Sequence, residues 1–216
     1  MCKTRRILLS SVLLVALVAC GDDNPTDPRG FGPQPTPLPP LTAPENLISS
    51  IKILYGDKVR TAVERRIEYE KLLAPPAGCD TCPAFLFDFM PYDEETQGTP
   101  DTWGRDQEIQ ATTNIFLEQA NGGIYQLTLE IQTLPPADLN GRPGWKEIFA
   151  TNVHLRLLVT PQSGFELNGG QAQFRVYSVN NRWYIGEWID LPRLGTRGPS
   201  VAVESTTWGR IKHAFK

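Results

Sequence analysis

The 216-residue chain carries 21 lysines and arginines against 24 aspartates and glutamates, for a formal net charge of −3. No basic run exceeds two residues, so the patch that counterion-driven nucleic-acid binding requires is missing and nucleic acid is not an expected partner. With only two histidines and four cysteines in the whole chain, neither a metal nor a cofactor is expected.

Lys3, Arg5 and Arg6 precede thirteen uncharged residues, Ile7 to Ala19. As a helix these would rise about 20 Å, short of the ~30 Å hydrocarbon core, so residues 1–19 read as a signal peptide rather than a permanent span. The last of them, Leu17-Val18-Ala19, and Cys20 resemble the bacterial lipoprotein box. That resemblance implies a mature chain that starts at Cys20, carries acyl chains such as palmitate and is anchored in the cell envelope, since two or more chains make anchoring stable. Gly21, rather than an aspartate, after the anchor favours the outer over the inner membrane. Losing the three basic residues of the signal takes the net charge from −3 to −6, so the lipid itself must do the anchoring. Eight prolines fall between Gly21 and Pro44, with few large apolar residues among them. Residues 20–43 therefore read as a flexible tether that cannot offset its own ordering entropy, reaching up to roughly 70 Å if extended as polyproline II.

Residues 44–216 are enough for one domain. Thr42 and Glu45 stand in capping-box spacing, and Leu47, Ile48, Ile51, Leu54 and Tyr55 follow helical spacing until Gly56. Asp57 is expected to cap a second helix that carries Val59, Ala62, Val63, Ile67, Leu72 and Leu73 on its apolar side and ends at Pro75-Pro76. A third is expected from about Arg105 to Ala120, with Ile109, Thr112, Thr113, Phe116 and Ala120 inward. From Tyr125 the period becomes two. Tyr125, Leu127, Leu129 and Ile131 alternate with polar residues; further strands contain Phe149 to Val159, "QAQFRVYSV" and "RWYIGEWIDL", the last two joined at Asn180-Asn181. Helices first and a long antiparallel meander after them predict an α+β domain.

The order helix, helix, "FLFDF" strand, "WGRDQEIQATTNIF" helix and long strands ending "RWYIGEWIDLP" resembles the NTF2-like superfamily, the cone fold shared with SnoaL-type and ketosteroid-isomerase-type proteins. "PENLI" at Pro44, "WGRD" at Trp103 and the Trp183, Ile185, Trp188, Asp190 spacing are similar to a group of bacterial lipoproteins with this fold. The resemblance implies three helices on a curved antiparallel sheet, then a short C-terminal helix in "TTWGRIKHAF". Because the fold hosts unrelated functions, activity does not follow from it.

Cys79 and Cys82 are the thiols left after processing, and an even pair in an exported protein points to a disulfide; a redox pair or half a zinc knuckle are the alternatives. His154 lies in the polar phase of its strand and His213 on the tail helix, both expected at the surface. Glu187 falls in phase with Trp183, Ile185 and Ile189; if that phase faces the interior, a desolvated carboxylate would serve as acid or base, and if a bulge swaps the phases it is a rim salt bridge. Asp88, between Phe87 and Phe89, raises the same question. Trp103 would pack the start of the third helix and Arg105 pair with Asp106 or Asp190. The catalytic groups of the enzyme members cannot be matched position by position. The expected function is a non-catalytic, lipid-anchored envelope module that binds a small apolar ligand or a protein, with Phe116, Tyr125, Trp183, Tyr184 and Trp188 near one cavity and a homodimer formed through the sheet. The alternative is a small isomerase or dehydratase that uses Glu187 or Asp88.

Overall fold

The computed structural model describes residues 32–75, 83–91, 98–191, 203–205 and 207–216. Cys20, Cys79 and Cys82 lie outside the described residues, and with them the anchor and the disulfide. All the elements below belong to one compact unit, Pro35–Lys216.

The folded unit opens at Pro35, earlier than the composition suggests. Leu38 and Leu41 interrupt the prolines and pack against the core. The Leu41 carbonyl accepts from the Trp183 amide at 2.8 Å, and Asn46 Nδ2 donates to the Pro40 carbonyl at 2.7 Å. The last part of the apparent tether is thus a strap on the domain.

Helix α1 spans Glu45–Gly56 and buries Leu47, Ile48, Ile51, Leu54 and Tyr55, the face expected from their spacing. Its start differs: Pro44 occupies the cap position and makes no side-chain cap bond. Helix α2, Ala62–Glu70, starts later than Asp57. Asp57 instead closes a turn, its Oδ1 accepting from the amides of Val59 (2.7 Å) and Arg60 (3.0 Å). The cap is Thr61, whose hydroxyl accepts from the Glu64 amide while the Glu64 carboxylate accepts from the Thr61 amide, two otherwise unpaired donors satisfied together. The buried face is Ala62, Arg65 and Tyr69, leaving Val59, Val63 and Ile67 exposed. Arg65 takes the inward place because it has work there. Its guanidinium donates to the Leu54 and Tyr55 carbonyls at the end of α1 and to Gln119, and lies 3.8 Å from the centre of the Phe116 ring. Burial lowers its pKa to about 10.

Strand β1 (Leu86–Asp88) pairs with β2 (Thr102–Gly104), which leads directly into helix α3, Arg105–Ala120. The meander follows as β3 (Gln126–Thr133), β4 (Ala137–Asp138), β5 (Trp145–Thr160), β6 (Ser163–Val179) and β7 (Arg182–Leu191). β8 (Val203–Ser205) and helix α4 (Trp208–Ala214) complete the chain. The sheet order is β2-β1-β7-β6-β5-β3, with β4 on β5 and β8 on β6. The meander is antiparallel as expected; the short β1 and β8 join it in parallel, making the sheet mixed. Asn180 and Asn181 turn β6 into β7 with φ of 50° and 61°, the left-handed pair that a two-residue hairpin demands.

The helices pack on this curled sheet, an α+β cone of the kind the sequence leads one to expect. Its interior is packed with rings. Trp188 meets Trp208 at 4.4 Å and Phe174 at 4.6 Å, Trp103 meets Phe89 at 4.7 Å, and Tyr55 meets Phe116 at 5.4 Å between centroids.

Candidate functional site: a carboxylate closed inside the cone

The ionisable groups that converge inside the cone are not those the sequence singles out. Glu108 lies in the first turns of α3 and is fully buried. Its Oε1 accepts from the Tyr69 hydroxyl at 2.5 Å, from Thr112 Oγ1 at 3.3 Å and from Lys212 Nζ; Oε2 accepts from Trp103 Nε1 at 3.2 Å. Each donor arrives from a different place in the chain: Tyr69 from the end of α2, Trp103 from β2, Thr112 one turn along α3, and Lys212 from α4. Three of these four donors reach Oε1 and one reaches Oε2.

Lys212 is as buried as its partner. Its ammonium stands 3.7 Å from the Trp188 ring centre, 4.9 Å from that of Phe87 and 5.3 Å from that of Trp208, so π faces complete the shell the carboxylate begins. Burial pulls the Lys212 pKa below its ordinary value, and the charge and hydrogen bond of Glu108 resist that. Burial, with the Glu108 charge added, pushes the phenols of Tyr69 and Tyr55 well above theirs. Both phenols therefore stay protonated at neutral pH. Helix α4 is held at three further points. Asp190 Oδ2 accepts from the Gly209 amide at 2.9 Å, Asn114 Nδ2 donates to the Phe215 carbonyl at 2.6 Å, and Thr207 caps the helix through the Arg210 amide.

Glu187 is on the opposite face of the sheet. Arg175 pairs with Glu187 but Val176 pairs with Ile185, so Gly186 is the extra residue of a β-bulge. The bulge swaps the phase of β7: Ile185 points inward before it, Trp188 and Asp190 after it, and Glu187 outward. Gly186 leaves room for Trp145, whose ring would meet an added Cβ at 2.6 Å. Glu187 is clamped between Arg175, at 2.7 Å, and Arg142. Burial alone would raise its carboxyl, but the hydrogen bonds and charges of the two arginines outweigh it and hold the pKa below the ordinary value. Asp88 alternates with the inward Phe87 and is half-buried. Burial raises its pKa; Arg175 opposes this, and Glu187 and Asp101 add to it.

The five aromatic residues expected around one cavity are dispersed. Phe116 and Trp188 are fully buried in the packed interior, Trp183 and Tyr184 are half-buried on β7, and Tyr125 is 65 % exposed. Tyr125 lines an outer groove of about 310 Å³ with Asp57, Lys58, Arg60, Arg65 and Gln119. A second groove, of about 330 Å³, lies between α2 and α3 along Arg66, Glu70, Asp106 and Ile109. Trp103 packs at the start of α3, with the hydrogen bond to Glu108 in addition. Arg105 pairs with Glu70, at 3.1 Å, in place of Asp106 or Asp190. His154, half-buried on β5, bonds Glu166 at 2.9 Å, and His213 meets the edge of Phe89 at 6.5 Å. Among the described residues no group of three metal-ligating side chains occurs.

No family model and no curated protein matches the sequence. Among solved structures, the chain is similar to the Kfla4162 protein of Kribbella flavida at 10 % identity, covering 78 % of this chain and 93 % of that one, with a TM-score of 0.47. An NTF2-like protein of unknown function from Shewanella oneidensis is 10 % identical over 68 % of this chain and 93 % of its own, with a TM-score of 0.44. A proposed scytalone dehydratase from Novosphingobium aromaticivorans is 12 % identical over 74 % and 90 %, also with a TM-score of 0.44. Likenesses this distant carry no argument about activity.

Proposed function

We propose that the chain is a lipid-anchored protein of the bacterial cell envelope, attached through Cys20 on the outer membrane, whose NTF2-like domain is a non-catalytic module that works through its exterior by engaging a protein partner. The observation that supports this reading is the state of Glu108. The carboxylate inside the cone is committed to Tyr69, Thr112, Trp103 and Lys212, and the space around it is filled by the protein's own rings. A general acid or base must exchange a proton with a bound substrate, and this one faces only its own chain. Outside the cone, Glu187 is engaged by Arg142 and Arg175 rather than free to exchange a proton with a ligand.

Two measurements on protein exported from a bacterial host test the reading. Fatty-acid labelling of the wild type and of Cys20→Ala is expected to label the wild type alone, and equal labelling of both would remove the anchor. Native mass spectrometry of the purified chain, before and after solvent extraction, is expected to give the acylated protein mass with no further bound molecule. A stoichiometric apolar ligand lost on extraction would restore the pocket-binding reading.

A further inference from the structure

Three aliphatic side chains that helical spacing assigns to the core are instead in solvent: Val59 (42 % exposed), Val63 (59 %) and Ile67 (48 %). Val63 and Ile67 stand one turn apart on the outer side of α2, and Val59 lies in the turn that leads into it. Tyr125, at 65 %, is the most exposed large hydrophobic residue among those described, and it shares the outer groove with Lys58 and Arg60, the residues either side of Val59. The Tyr125 amide bonds the Leu158 carbonyl at 2.7 Å, which brings in Val159, 48 % exposed. One end of the domain thus gathers exposed aliphatics, a tyrosine and cations. Lys58, Arg66 and Lys71 are exposed around the stripe, and the acids of this stretch are engaged locally: Asp57 with Arg60, Glu64 with Thr61, Glu68 with Lys71 and Glu70 with Arg105. An amphipathic tyrosine with flanking cations and short aliphatics suits a headgroup boundary.

The chain itself says what would cover this end. The folded unit begins at Pro35, and Arg60 Nη2 donates to the Thr36 carbonyl at 2.9 Å, so the strap starts beside Val59. Only the 15 residues from Cys20 to Gln34 separate that point from the expected lipid. A flexible chain of this length spans roughly 20 Å on average and about 50 Å at full polyproline extension. A domain of this size is about 40 Å across, so the end where the strap begins is the one the tether keeps nearest the bilayer.

We infer that this end, Val59, Val63 and Ile67 with Tyr125 and Lys58, is a bilayer-docking surface that seats the domain on the membrane to which Cys20 anchors it. The inference rests on the lipid-anchor reading, and its test separates the two. The acylated full-length chain is reconstituted into phosphatidylethanolamine–phosphatidylglycerol vesicles whose acyl chains carry a nitroxide quencher. An environment-sensitive fluorophore is placed at Val63→Cys, or at Leu134→Cys as a control; Leu134 is also exposed but follows the far end of β3 from Tyr125. Vesicle-bound protein is expected to show at least about twofold stronger quenching at position 63 than at 134, and Ile67→Asp with Lys58→Glu should abolish the difference without releasing the protein from vesicles. Equal quenching at both positions in vesicle-bound protein overturns the docking surface and leaves the anchor intact. Protein that fails to bind vesicles overturns both. Energy transfer between copies labelled at position 63, equally strong in detergent, overturns the inference in favour of a self-association face.

Discussion

Two of the carboxylates that basic side chains hold, Glu108 inside the cone and Glu187 outside it, differ instructively. Glu108 and Lys212 are wholly buried, 104 residues apart, and share their site with Tyr69, Trp103 and Thr112. Glu187, Arg142 and Arg175 meet on the outer face of the sheet, where the side-chain exposures are 17 %, 45 % and 28 %. In water, a lost ion pair is replaced by hydration; in the core it leaves a charge with nothing to solvate it. The inner pair therefore helps to hold the tail helix on the cone, together with its other attachments, whereas the outer cluster tunes a surface.

The largest effect is expected at the inner pair. Lys212→Met keeps an apolar stem among the rings but strands the Glu108 charge, and should cost about 3–5 kcal/mol in chemical denaturation. A loss below about 1 kcal/mol would place Lys212 outside the core. Next comes Gly186→Ala. Its Cβ would meet Trp145 at 2.6 Å and Tyr177 at 3.1 Å, so a destabilisation of about 1–3 kcal/mol is expected from the same measurement. Glu187→Gln on the outer face should cost no more than about 1 kcal/mol at neutral pH. It also carries a pH signature. The folded pKa is depressed, so the unfolded chain binds the proton more readily at acid pH and stability rises with pH. The contribution is complete above the ordinary carboxylate value and lost as pH falls through the folded one. Wild type and Glu187→Gln should therefore converge in melting temperature on acidification below about pH 4.5, and a gap that widens there would contradict the assignment. The smallest effect is expected at Val63→Ser, within about 0.5 kcal/mol because the side chain is in solvent.

What the sequence made legible, and what it hid, follows the same division. Alternation placed β3, the paired asparagines placed the hairpin, and the spacing of α1 showed its buried face, because each signal is local. The phase of α2 was hidden by chemistry: Val63 and Ile67 look like core, but Arg65 and Tyr69 satisfy helix carbonyls and Glu108 and therefore win the inward side. Glu108 itself left a trace, standing three, four, seven and eight residues before the buried Ala111, Thr112, Ile115 and Phe116. Lys212 likewise shares the stripe of Trp208 and Ile211. That two such charges neutralise one another across 104 residues is a long-range fact with no local pattern. The Gly186 bulge was legible only as one of two alternatives, since a glycine within a strand can mark a bulge but alternation alone does not say whether the phase swaps.

The claim on which the rest depends is that Lys212 and Glu108 pair inside the cone. A double-mutant cycle of Glu108→Gln, Lys212→Met and the double variant, followed by urea denaturation at neutral pH, measures that pairing directly. The account predicts a coupling of about 2–3 kcal/mol, with the double variant more stable than either single change implies. Losses that add to within about 0.5 kcal/mol would contradict it, showing two independent side chains.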